Sequence, residues 1–137
     1  MLLFIGELKT RSRFFKLKVE SINPNSAVML DLELSKSTRF LATGCPDVAI
    51  HVKSTAQGVA LASSSCHVPS VHTSWPASRV LHYHTCTSNM AYFRQATSKL
   101  FHKIMTSDPA HPSLQFLAEC IVHGAPVQVQ HRKPRQD

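Results

Sequence analysis

The chain has 137 residues, 43% of them apolar and 17% charged, with a formal net charge of +7. That length suits one domain with its own core and is short for two. The basic balance, with a pI near 9.6, favours a polyanionic partner. No apolar run approaches membrane-spanning length, so no membrane partner is expected.

Residues 1–6 are apolar for only a few positions before Glu7 and Lys9, too short for a signal-peptide core. Cys45, Cys66, Cys86 and Cys120 form no CxxC pair. An intracellular chain with reduced thiols is therefore expected. Lys9, Arg11 and Arg13 then lead into residues 14–35, which read as one antiparallel hairpin. Folded so that Phe15 faces Leu34, Leu17 faces Leu32 and Val19 faces Leu30, it has one apolar face. Its other face sets Lys16 against Glu33 and Lys18 against Asp31. Asn23-Pro24-Asn25-Ser26 supplies the turn chemistry.

Residues 36–43 read as a connector ending in the turn Gly44-Cys45-Pro46-Asp47. Val48, Ile50 and Val52 alternate with Ala49, His51 and Lys53, the pattern of a half-buried strand. After a turn at Gln57-Gly58, Val59 and Leu61 begin a weaker strand, so two hairpins are expected in the first half. Residues 66–89, rich in Ser, Thr, His and Pro, read as loops and short edge strands, with one strand at 80–83. Met90, Phe93, Thr97, Leu100, Phe101 and Ile104 fall at helical spacing, and Asp108-Pro109 stops the run. Ser113 is placed to cap a second helix carrying Leu114, Leu117, Ala118 and Ile121, with Gly124 at its end.

No acidic residue lies between Asp47 and Asp108, while Lys53, Arg79, Arg94, Lys99 and Lys103 are all present. Such a stretch is either simply solvated or faces a polyanion. Cys66, His82, His84 and Cys86 are a secondary alternative as metal ligands, but their spacing is not that of a structural zinc site; no metal and no cofactor is expected. The stretch also lacks a carboxylate to orient a Cys/His pair. With no GxSxG, phosphate-binding glycine loop or HExxH elsewhere, no enzyme activity and no small-molecule substrate are expected.

Read in order, these segments resemble the T-box (Brachyury-type) DNA-binding family. Thr10-Arg11-Ser12-Arg13-Phe14-Phe15 is similar to its GRRMFP segment, and Val19 to Asn25 to its VxVxGLDP turn. Residues 39–44 are similar to RWxxxG, and residues 50–58 to IHPDSPATG. Residues 83–93 resemble GHIxLNSMHKY, and residues 111–118 the start of FPETQFIAVTAYQN. The family's C-terminal NPFAKGFRD helix has no counterpart.

The resemblance implies a mainly β, antiparallel Ig-like sandwich of T-box type over residues 1–128, with one or two short helices in its C-terminal third and a basic mobile tail at 129–137. An α+β fold is the alternative. The implied function is that of a nuclear, DNA-binding transcription regulator with weakened DNA contacts. Binding would be salt-dependent, through the phosphate backbone, with Arg11, Arg13, Arg94, Arg132 and Lys133 as the contacting residues. Two other readings stand beside it. One is a small protein–protein interaction protein whose Phe/Leu faces at 90–121 make the contact. The other is an orphan reading frame without a settled fold.

Overall fold

A computed structural model describes residues 6–7, 10–11, 23–53 and 61–125. Their architecture is α+β, with one three-stranded antiparallel sheet beside a cluster of helices, and the expected β-sandwich is overturned. Strand β1 (Ser26–Met29) pairs with β2 (Leu32–Ser35), and β2 pairs with β3 (Asp47–Ile50).

The hairpin that forms is not the expected one: residues 27–35, expected as its second strand, themselves fold back. Ala27 faces Leu34 and Met29 faces Leu32, and the chain reverses at Leu30-Asp31. Leu32 and Leu34 have their strand partners in β1 and β3. Phe15, Leu17 and Val19, expected opposite Leu34, Leu32 and Leu30, lie outside the described residues with Lys16 and Lys18. Asn23 serves upstream of β1 instead of at the hairpin apex: the Asn25 N–H donates to its Oδ1 at 2.9 Å. Glu33 and Asp31 take histidine partners, His51 at 3.9 Å and His82 at 2.8 Å. The two-residue reversal requires a φ of 59° at Leu30, a left-handed conformation that costs an L side chain about 1–2 kcal/mol. Leu30 is 83% exposed, so little packing offsets that cost. Leu30→Gly should stabilise the domain by about 0.5–1 kcal/mol after the entropy of glycine in the unfolded chain is subtracted. Urea denaturation measures this, and Leu30→Val should shift the midpoint the opposite way.

The connector between β2 and β3 is a short helix, α1 (Thr38–Thr43). The Ser37 hydroxyl accepts from the Arg39 N–H at one end. At the other, Gly44 adopts a φ of 73° and its N–H closes on the Phe40 carbonyl. The third strand falls where alternation places it. Val48, Ala49 and Ile50 each pair with β2 through Leu34, Glu33 and Leu32. No strand forms at Leu61, and the turn at Gln57-Gly58 and the strand start at Val59 lie outside the described residues.

The expected loops and edge strand in residues 66–89 are replaced by a long helix, α2 (Pro69–Cys86). Pro69 starts it, at a position where a missing N–H costs nothing. Its buried line is His72, Pro76 and Val80, successive positions four apart on one face. Pro76 sits inside this helix and offers no N–H to the His72 carbonyl. The Ser113 hydroxyl donates to that carbonyl at 3.2 Å instead.

Helix α3 (Met90–Ser107) follows its periodicity, burying Phe93, Ala96, Thr97, Leu100 and Ile104. Asn89 accepts from the Tyr92 N–H at its start, and Asp108 ends it. Helix α4 (Leu114–His123) ends at Gly124, whose φ is 88°. Ser113 precedes it, but its side chain makes no cap bond, being turned toward α2. The core lies among these helices: Val80 from α2, Phe93, Leu100 and Ile104 from α3, Leu117 and Cys120 from α4, closed by Ala125. Trp75, Tyr83, Phe101, Leu114 and Phe116 pack around it. Phe93, Leu100 and Leu117 of the Phe/Leu faces of 90–121 are therefore in the core of the domain, with Phe101, Leu114 and Phe116 partly buried against it.

Sheet and helices are joined by polar contacts. The Val48 N–H donates to Ser88 Oγ, the Ser88 N–H donates to the Val48 carbonyl, and Ser88 Oγ donates to Asp47 Oδ1. Asp47 also receives the Arg39 guanidinium at 3.4 Å. Hydrogen bonds from Ser37, Ser88 and Arg39, with the Arg39 charge, outweigh burial and hold its carboxyl below the usual carboxylate range. A lowered acid pKa contributes stability in full above the unfolded value, and loses it as pH falls through the lowered one. This junction is thus sensitive to acid.

Candidate functional site

The outward side of α3 is a cationic surface. Once Phe93, Ala96, Thr97, Leu100 and Ile104 face the core, helical geometry turns Lys99, His102 and Lys103 to solvent, and all three are exposed. They occupy i, i+3 and i+4, neighbouring positions on one face. Residues 90–107 contain no Asp or Glu. The His102 ring stands edge-on to Phe101, with centroids 5.7 Å apart.

Carboxylates elsewhere among the described residues are already engaged. Glu7 binds Arg11, Asp31 binds His82, Glu33 faces His51 and Asp47 receives Arg39. Asp108 Oδ2 accepts from the Ser63 N–H at 2.8 Å, and Glu119 accepts from the Gln115 amide. Hydrogen bonds from Ser63 lower the pKa of Asp108. The ion pairs among the described residues involve neither Lys99 nor Lys103.

Of the residues expected from sequence to contact phosphate, Arg11 and Arg94 are described, and each has a partner within the protein. Arg11 is bonded to Glu7 at 2.6 Å. The Arg94 Nη2 donates to the Val122 carbonyl at 3.3 Å, where a cation suits the last turn of α4. Arg13, Arg132 and Lys133 lie outside the described residues. Of the four alternative metal ligands, Cys66 is exposed and His84 packs edge-on against Phe93 at 5.7 Å. Only His82 and Cys86 meet, at 3.5 Å, and no metal-binding group of three forms among the described residues.

Lys99 and Lys103 were visible in sequence as part of the acid-free stretch. What singles them out is the α3 periodicity, which settles which side of the helix the core occupies.

No protein family matches the chain, and no curated protein or solved structure matches it significantly. Among the described residues, parts of the segments that resemble T-box motifs are helical: residues 83–86, 90–93 and 114–118.

Proposed function

We propose that this protein binds nucleic acid through its phosphate backbone, using the exposed face of α3. One observation carries the reading: Lys99, His102 and Lys103 project from a helix without carboxylates, while the acidic groups described elsewhere already have partners. Cations left unneutralised in this way release counterions from a polyanion on binding, an effect that needs no base contact. The reading is limited to phosphate recognition. A T-box-type regulator would need the sandwich that this chain does not form.

The test is fluorescence anisotropy with a labelled DNA duplex across a salt series. Binding should weaken steeply and linearly in log–log form as salt rises. The double variant Lys99→Glu/Lys103→Glu, changed only at exposed positions, should reduce the salt slope by about two and weaken low-salt affinity on the order of tenfold. No binding at low salt, or equal binding by the double variant, would refute the reading.

A further inference from the structure

We propose that Cys86 is a reactive thiol, activated by His82 and Asp31, whose co-reactant is a low-molecular-weight disulfide. The three groups come from two elements that the fold brings together. Asp31 sits at the hairpin reversal, and His82 and Cys86 lie one turn apart at the end of α2. His82 Nε2 is 2.8 Å from Asp31 Oδ2, and His82 Nδ1 is 3.5 Å from Cys86 Sγ.

A carboxylate accepts only, so Nε2 carries the proton of the neutral ring. The Nδ1 lone pair then faces the thiol. This is the order of groups that nucleophilic thiol chemistry requires: a nucleophile, a base, and a third group that orients the base. Residues 48–107 contain no carboxylate, and the hairpin supplies one across 51 positions of sequence. Thr85 Oγ1 is 3.8 Å from Sγ, although its hydroxyl already serves the Leu81 and His82 carbonyls. Arg79 also lies on α2, and its charge is felt at Tyr83 together with that of Asp31. The site is open, with His82 and Asp31 side chains 36% and 50% exposed. A small co-reactant can therefore reach it.

In the reaction the Cys86 proton passes to His82 Nδ1 as Sγ attacks one sulfur of the disulfide. The S–S bond breaks, a mixed disulfide forms on Cys86, and the departing thiolate takes the proton from Nδ1 to leave as a thiol. The Cys86 sulfur rises from thiol to disulfide level as the departing sulfur falls from disulfide to thiol level, so the exchange balances without another oxidant.

The other cysteines are internal standards. Cys45 and Cys66 are exposed, and among the described residues no imidazole is hydrogen-bonded to either thiol. Cys120 is fully buried, and burial pushes its thiol up to about 11. The full-length protein is treated with oxidised glutathione at neutral pH, and occupancy at each cysteine is followed by peptide mass spectrometry. Cys86 should be modified at least about tenfold faster than Cys45 or Cys66, although it is less exposed, and Cys120 should stay free. His82→Phe should bring Cys86 down to the rate of the exposed pair. Asp31→Asn keeps an acceptor for Nε2 but removes the charge, so it should lower the rate by less. Circular dichroism verifies that both variants are folded. In urea all four cysteines should react alike. If Cys86 is no faster than Cys45 and Cys66, or keeps its lead in His82→Phe or in urea, the assignment is wrong.

Discussion

Phe93→Ala should destabilise the domain by about 3–5 kcal/mol, the range for truncating a buried aromatic. Phe93 is 1% exposed, and its neighbours in the core come from three helices. A cavity there would lie in a cluster drawn from separate helices, with Val80 from α2 and Leu117 and Cys120 from α4, and with the His84 ring edge-on to the lost side chain. Collapse into it would require α2, α3 and α4 to shift together, so the site should relax poorly. Small domains are stable by only about 5–15 kcal/mol, and the variant should be near the edge of folding. A thermal melt followed at 222 nm is the measurement. An unchanged transition would mean that α3 does not pack as described.

Ser113→Ala should cost about 1–3 kcal/mol, the penalty for a buried acceptor without a donor. The reasoning begins at Pro76, whose missing N–H leaves the His72 carbonyl to the Ser113 hydroxyl. His72 and Ser113 are both buried, at 8% and 5% exposure, so solvent is poorly placed to substitute. The distinguishing result is a double-mutant cycle with Pro76→Ala. Alanine at 76 restores an N–H to the His72 carbonyl, and Ser113→Ala should then cost much less than in the parent chain. A coupling energy near zero would show that the Ser113 hydroxyl does not replace the proline's missing donor.

Legibility followed the kind of pattern each element carried. Helices α3 and α4 were readable because their apolar residues keep helical spacing and stop at Asp108-Pro109 and Gly124. Strand β3 was readable from simple alternation. Helix α2 was not, since the residues on its buried line include a histidine and a proline, which apolar periodicity does not register. Pro69 at its start was the available signal. The capping pair Ser37 and Gly44 likewise marked α1. The hairpin shows a different failure. Residues 27–35 alternate well enough to read as one strand, yet they contain the reversal at Leu30-Asp31, and the expected register rested on Lys16–Glu33 and Lys18–Asp31 pairs. Partners from outside the hairpin, His51 and His82, meet Glu33 and Asp31 instead. The basic face of α3 could be placed once its core side was known. The Cys86 site could not, because its carboxylate comes from a different element.

The polar seam at Asp47 and Ser88 bears on the order in which the domain assembles. Among the described residues, strand pairing falls within residues 26–50 and the helical core within residues 75–125, so each half forms from contacts close in sequence, which favours fast folding. The hydrogen bonds that tie the halves together, Ser88 to Val48 and Asp47 and His82 to Asp31, span 40, 41 and 51 positions. They are few and polar, so they fit a docking step made after each half has formed. Protonating Asp47, whose carboxyl is held below the usual range, would then loosen the attachment of a completed sheet, a control that no rearrangement of the apolar core would exert.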